Sequence, residues 1–233
     1  MSETLKNNLS EVKALIESAR SRSPFHQEVK LVAVSKTVDA DMVKDCFELG
    51  QLDFGENKPQ ELKSKYEILS GLELKWHQIG TLQRNKVKYI IDKVCMIHSL
   101  DSLPLAQMID KKAKEAGRVV DCLLQVNISE EENKHGIETK SAEEFVKQLQ
   151  ELDNIRLKGL MGMAPFEEDS ENARPYFKNL RRLLDDINSK KIYKTDLTEL
   201  SMGMSGDFEV AIEEGATIVR VGTRIFGQRN YNL

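Results

Sequence analysis

Lys30-Leu31-Val32-Ala33-Val34-Ser35-Lys36-Thr37 opens on a short apolar run and closes on a lone amine, where a buried strand meets a loop. It is the first of eight such runs. The others lie at 52–54, 74–79, 94–98, 119–126, 157–161, 197–202 and 217–221, with helical periodicity between them, for example at 40–49, 103–116, 142–152 and 172–187. Ahead of the first strand, Leu5, Leu9, Val12, Leu15 and Ile16 recur on one helical face and give an extra N-terminal helix. Strands separated by helices pair in parallel, and right-handed crossovers then favour a single (β/α)8 TIM barrel. A doubly wound open sheet is the rival. No GxGxxG follows the first strand, which removes that rival's usual dinucleotide-binding version.

The 233 residues fit one barrel with almost nothing over, so residues 1–233 read as one domain, and an apolar fraction of 40% fills one large core. No linker interrupts the alternation. The five prolines fall at loops or helix starts, as their fixed φ and missing donor require, and residues 130–136 form a polar loop after the fifth strand. A net charge of −4 argues against a general nucleic-acid or membrane-surface binder. Met1-Ser2-Glu3-Thr4 shows no basic start followed by an apolar core, and no stretch is long enough to span a bilayer. Cys46, Cys95 and Cys122 are odd in number and form no CxxC, which speaks against a zinc site or a disulfide framework. The expectation is a cytoplasmic chain. Its helices show no large apolar stripe, so it is expected to be a monomer.

In a barrel, the strand C-terminal ends gather around one mouth. Here they supply Lys36, Asn57, His77, His98, the segment Ser201 to Ser205, and Arg220 to Thr223. A strand-end lysine is usually just solvated, and strand-end histidines are usually hydrogen-bonded structural groups. An amine among apolar neighbours, however, can lose its proton and attack a carbonyl. Ser205 is placed to cap a helix starting near Asp207 and Phe208, whose free N–H groups suit a phosphate. Gly222-Thr223 offers a second set of donors after the eighth strand, and the loops after strands seven and eight are where such barrels hold phosphate. Each segment alone is also an ordinary turn. Arg220 lies between Val219 and Val221, so its side chain is expected inside the barrel, where it needs an acceptor. A ligand ring nitrogen would serve, and so would a carboxylate such as Glu199 or Glu213.

On these residues the chain resembles the pyridoxal phosphate homeostasis proteins over essentially its whole length. The matching segments are LVAVSKT (31–37), FGENKPQE (54–61), WHQIGTLQRNK (76–86), QVNISEEENKHGI (125–137), LKGLMGM (157–163) and LSMGMSGDFEVAIEEGATIVRVGTRIFG (200–227). The resemblance implies a fold-type III barrel related to the N-terminal domain of alanine racemase, with pyridoxal 5'-phosphate (PLP) held as an internal aldimine. Lys36 matches the Schiff-base lysine, Ser205, Gly222 and Thr223 match phosphate-binding positions, and Arg220 matches the residue near the pyridine nitrogen. An arginine there disfavours protonation of that nitrogen and weakens the ring as an electron sink. Asn57, Ser201 and Met204, read as part of the same mouth, join the expected cofactor-binding set. Three positions depart from the family pattern: Thr81 stands where proline is frequent, Gly206 where aspartate is, and Arg224 where a small residue is.

The family implies control of the free and delivered PLP pool, with PLP-dependent apoenzymes as recipients, and no established catalytic reaction. The sequence agrees in one physical respect. A racemase needs a base on each face of the cofactor, and in alanine racemase the second comes from an additional domain that this chain is not expected to carry. Buffering or delivery of PLP is therefore expected, against two alternatives: an amino-acid racemase of low activity, and a Schiff-base aldolase that binds no PLP.

Overall fold

A computed structural model describes residues 2–129, 131 and 135–228; most of the polar loop at 130–136 and all of 229–233 lie outside the described residues. The strands are β1 (Lys30–Val34), β2 (Asp53–Glu56), β3 (Lys75–Gln78), β4 (Val94–Leu100), β5 (Val120–Asn127), β6 (Ile137–Glu138), β7 (Ile155–Met161), β8 (Glu199–Ser201) and β9 (Ile218–Val221). All pairings are parallel, and eight strands close a barrel in the order β1-β2-β3-β4-β5-β7-β8-β9 and back to β1. The two-residue β6 lies beside the end of β5, outside the ring, and is too short to leave a periodic trace in the sequence. The open-sheet rival is ruled out by the β4–β5 and β1–β9 pairings.

Around the barrel lie α1 (Glu3–Arg22), α2 (Ala40–Glu48), α3 (Pro59–Ile68), α4 (Leu103–Glu115), α5 (Ala142–Leu149), α6 (Arg174–Ser189), α7 (Phe208–Glu213) and α8 (Thr223–Phe226). The extra N-terminal helix is α1. It buries Leu5, Leu9, Val12, Ile16 and Ala19 and packs on α7, α8 and α2, while Leu15 is only partly buried. Asn8 fastens it by donating to the Ile225 carbonyl at 3.0 Å. After β3 the expected helical layer is reduced to a 3-10 turn at Arg84–Tyr89. No helix among the described residues is long and apolar enough to cross a membrane.

Two apolar layers result. Helices bury their inner faces on the outside of the barrel wall, and Val32, Met96, Leu123, Met161 and Ile218 form a second cluster inside it. Alternation along β1 thus sends Val32 inward, and the same parity reaches Val34 and Lys36. In β9 it sends Ile218 and Arg220 inward.

Candidate functional site at the barrel mouth

Lys36 sits in the turn that leaves β1, half-buried, and its Nζ has no hydrogen-bond partner among the described residues. What is fixed is the backbone around it. Thr37 stands at φ 60°, a left-handed conformation that is unusual for a β-branched residue. Its N–H donates to Glu61 Oε1 at 2.6 Å, and its hydroxyl donates to the Lys36 carbonyl at 2.6 Å. Beneath the turn lies Lys65, whose ammonium donates to the Ser35 carbonyl at 2.6 Å, to Glu56 Oε1 at 2.7 Å and to Glu61 Oε1 at 2.8 Å. Ser35 Oγ adds a fourth bond, donating to Glu56 Oε1 at 2.7 Å. Burial pushes the Glu56 carboxyl up from its ordinary range, and Lys65 pulls it partly back.

This cluster escaped the sequence reading, although a signal for it exists. Pro59, Leu62 and Lys65 are the buried residues of α3, spaced as one helical face. The last of them is a charged residue at a core position, which demands a partner.

Arg220 is buried, with no ion pair to either carboxylate weighed from the sequence. It donates through Nη1 to the Ser201 carbonyl at 2.7 Å and to Ser201 Oγ at 2.5 Å, and through Nη2 to the Gly162 carbonyl at 3.0 Å. Its Nε–H and its second Nη2 hydrogen find no acceptor among the described residues. Burial pulls its pKa down to about 10, with Asp207 acting the other way. Thr217 occupies Glu199 instead (2.7 Å), and Glu213 pairs with Arg22 and Arg174 at the surface.

The two loops expected to hold phosphate do meet. Gly222 N–H donates to Ser205 Oγ at 3.2 Å, so the segment after β8 and the segment after β9 meet at one edge of the mouth, with Thr223 exposed beside it. Ser205 therefore does not cap α7. Asp207 is the residue before the first helical position, and it turns back to accept from the Met204 N–H at 2.6 Å, while Ser205 reaches across 17 residues to Gly222. Met204 is exposed. Among the departures from the family pattern, Gly206 faces open space and Thr81 is exposed. The Arg224 guanidinium lies 5.3 Å over the Phe208 ring and 3.9 Å from Glu209, held beside the cradle.

Asn57 is half-buried after β2. Gln78 spans its carbonyl and that of Gly80, donating to each at 2.9 Å, and a Cβ on Gly80 would come within 2.7 Å of the Asn57 backbone. In register, Arg220 pairs with Val32, so Lys36 leaves the neighbouring strand above it. Lys36, Asn57, Ser205, Gly222 and Thr223 all follow strand ends on one side of the barrel. Ser201 and Arg220 lie one layer below them.

His77 and His98 do not reach the mouth, contrary to the strand-end reading. Strand β4 continues to Leu100, and both rings are buried in the barrel interior, where they contact each other edge to face at 5.1 Å. Asp53, His77 and Cys95 bring donor atoms within 4.8 Å of one another. His77 Nε2 is bonded to Asp53 and the Cys95 thiol donates to the Trp76 carbonyl at 3.2 Å. Burial holds that thiol at about 12, and Lys30 and Lys75 add positive charge around His77. The trio is a hydrogen-bonded cluster, and its surroundings disfavour a cation.

A mouth of this kind can hold a phosphorylated aldehyde: an amine with a free Nζ, a hydroxyl-and-amide cradle, and a buried guanidinium with two unused donors. Residues 5–230 match the model of the alanine racemase N-terminal domain. The pyridoxal phosphate homeostasis protein of Aquifex aeolicus is 46% identical over 224 residues, 96% of this chain and 97% of the relative. The solved structure of Synechococcus elongatus PipY with PLP bound superposes with a TM-score of 0.84 at 32% identity, covering 96% of this chain and all of that one (100%). Alanine racemase of Clostridium difficile shares the fold, with a TM-score of 0.77 at 15% identity, and this chain covers 61% of it.

Proposed function

Because the chain belongs to the family of pyridoxal phosphate homeostasis proteins, we propose that it binds PLP at the barrel mouth and holds and hands on the cofactor without turning over a substrate. The observation that carries this reading is the Ser205–Gly222 hydrogen bond, which joins the loops after β8 and β9 into one anion cradle on the side of the barrel where Lys36 emerges. PLP brings an aldehyde that condenses reversibly with an amine, and a phosphate that anchors it.

The chain's own residues divide that work. Lys36 presents Nζ from a backbone pinned by Glu61 and Lys65. Ser205 and Thr223 offer hydroxyl and N–H groups to the phosphate, and Gly222, whose N–H holds Ser205 Oγ, keeps the two loops together around it. Arg220 turns its unused donors toward the ring nitrogen. A guanidinium does not give up its proton readily, so it donates a hydrogen bond without protonating the ring. That suits holding better than carbanion chemistry. Ser201 acts from below through Arg220, and Asn57 and Met204 line the rim.

The test is a spectrum of the purified protein loaded with PLP, followed by borohydride reduction and peptide mass analysis. The expected result is a near-visible band that reduction removes, leaving the cofactor's mass on Lys36. Lys36→Ala should show no reducible band, and an unchanged one would sink the assignment. Transfer of PLP to an apoenzyme faster than release into buffer would support delivery. Lys36-dependent exchange of amino-acid α-protons in deuterated water at enzymatic rates would instead make the protein a racemase.

A further inference from the structure

Below Arg220 the barrel interior changes character. Where Val32, Met96, Leu123, Met161 and Ile218 fill the rest, two imidazoles continue the polar path. His98 Nδ1 lies 2.9 Å from Ser201 Oγ, and His98 Nε2 lies 2.9 Å from His77 Nδ1. His77 Nε2 lies 2.8 Å from Asp53 Oδ1. With the Arg220–Ser201 contact at 2.5 Å, side chains from β9, β8, β4, β3 and β2 form one unbroken chain through the barrel.

The two ends set its direction, since a guanidinium only donates and a carboxylate only accepts. Arg220 donates to one lone pair of Ser201 Oγ, and with Asp53 accepting at the far end and both rings neutral, the Ser201 hydroxyl proton falls to His98 Nδ1. His98 must then carry its own proton on Nε2 and give it to His77 Nδ1. His77 carries its proton on Nε2 and gives it to Asp53. Each donor meets an acceptor, with both rings neutral. A second proton on either ring would either set two donors face to face or turn Ser201 Oγ from donor to acceptor toward His98, and the one-way order would be lost.

The surroundings act the same way. Burial pulls His98 well below its ordinary value, and the positive charges of Arg220 and Lys30 act in the same direction. It also lowers His77 against the pull of Asp53, with Lys30 and Lys75 adding to the decrease. Cys95, whose Sγ lies 3.3 Å from His77 Nε2, is the remaining titratable group at the rings, and Asp207 acts on Arg220 from the loop above.

We propose that Asp53, His77, His98 and Ser201 are positioning residues for Arg220: a one-way relay of neutral donors and acceptors that fixes the guanidinium beneath the mouth and connects its buried charge to Asp53 across the barrel. The inference rests on the reading of the mouth as a PLP site, which gives the fixed guanidinium a ring nitrogen to face. An intact relay holds the Ser201 hydroxyl in one rotamer and keeps Arg220 Nη1 anchored, so the unused donors stay aimed at the ligand. A broken relay leaves that hydroxyl free to rotate, and the aim is lost.

Two arms test it. In protein labelled with 15N-histidine and free of cofactor, long-range 1H–15N spectra from about pH 5.5 to about 8.5 should show His77 and His98 as neutral Nε2–H tautomers throughout, with His26 and His135 as internal references. A ring with its proton on Nδ1, or one that titrates in that window, overturns the relay. The second arm loads Asp53→Leu and Asp53→Asn with PLP. Asp53→Leu should disturb both tautomers and speed PLP release about tenfold, whereas Asp53→Asn keeps an acceptor oxygen and should stay within about twofold of the native chain. Disturbed tautomers with native release in Asp53→Leu would overturn the positioning role. Should that variant not fold, His98→Gln, which keeps a donor toward His77, and His98→Leu, which does not, must differ in PLP release, and equal release overturns the role. A native chain that takes up no PLP would sink the reading of the mouth, and the cofactor-free spectra would still decide the relay.

Discussion

Two basic side chains serve the mouth from neighbouring strands, and the molecule supports them in opposite ways. Under Lys36 lies an ion-paired cluster of Lys65, Glu56 and Glu61 that grips backbone: the Ser35 carbonyl and the Thr37 N–H. Under Arg220 lies a chain of neutral rings that grips the side chain itself through Ser201. A group that must form and release a covalent bond needs a fixed backbone and a free tip. A group that acts as a stationary charge needs a fixed tip. The same barrel wall supplies one of each.

The largest expected effect breaks the Lys36 side of this contrast. Lys65→Met fills the same space and leaves Glu56 and Glu61 without the ammonium that joins them, and removing one partner of a buried ion pair is expected to destabilise the fold by about 3–5 kcal/mol. The penalty should depend on pH in a defined direction. Glu56 is already raised in the folded state by burial, so it favours folding in its protonated form and loses that contribution as pH climbs from the ordinary carboxylate range through its folded value. Without Lys65 the folded value rises further and the window widens. The deficit of Lys65→Met against the native chain, read from urea midpoints, should therefore be smallest in acid and grow as pH rises. A deficit that shrank toward neutral pH would mean the cluster is not held by charge.

A smaller effect is expected on the Arg220 side, through the backbone. Gly203 stands at φ 91° and its carbonyl accepts from the Arg220 N–H at 3.0 Å. A Cβ there would come within 2.6 Å of Ala211 Cβ and 2.8 Å of Phe208 Cα. Gly203→Ala therefore meets both a left-handed backbone and two contacts too short to keep, and a loss of roughly 2 kcal/mol is expected by thermal or urea unfolding. If it costs no more than an exposed substitution, the loop after β8 adjusts easily, and Arg220 is held by its side-chain bonds to Ser201 and Gly162.

The contrast itself was only half legible in the sequence. The strands could be read because eight apolar runs between helical patterns have few foldings, and Lys36, Arg220 and the two loops follow from their places at strand ends. Pairings between distant residues could not. Ser205 has the local features of a helix cap, and its bond to Gly222 depends on how β8 and β9 sit side by side. His98 has the spacing of a strand-end residue, yet β4 runs two residues further and carries it into the interior. The relay needs the register of β2, β3, β4, β8 and β9 together, which no single segment encodes. Lys65 was the readable exception, because its helical spacing from Pro59 and Leu62 already marked a charge on a buried face.

The smallest effect on stability is expected where the two supports can be told apart most finely. Thr37→Gly removes a β-branched residue from a left-handed conformation that costs about 1–2 kcal/mol, and it adds the backbone freedom of glycine to the unfolded chain, a loss of roughly 0.5–1 kcal/mol. The Thr37 hydroxyl bond to the Lys36 carbonyl also disappears, while the N–H to Glu61 remains available. These contributions nearly cancel, so the unfolding midpoint should move by no more than about 1 kcal/mol in free energy. PLP retention should nevertheless fall, because the turn that presents Lys36 has lost its stiffness. The relay under Arg220 should be untouched, with His77 and His98 in their native tautomers. If retention holds at the native level while the midpoint stays put, the strained threonine plays no part in presenting Lys36, and the backbone grip reduces to Glu61 and Lys65.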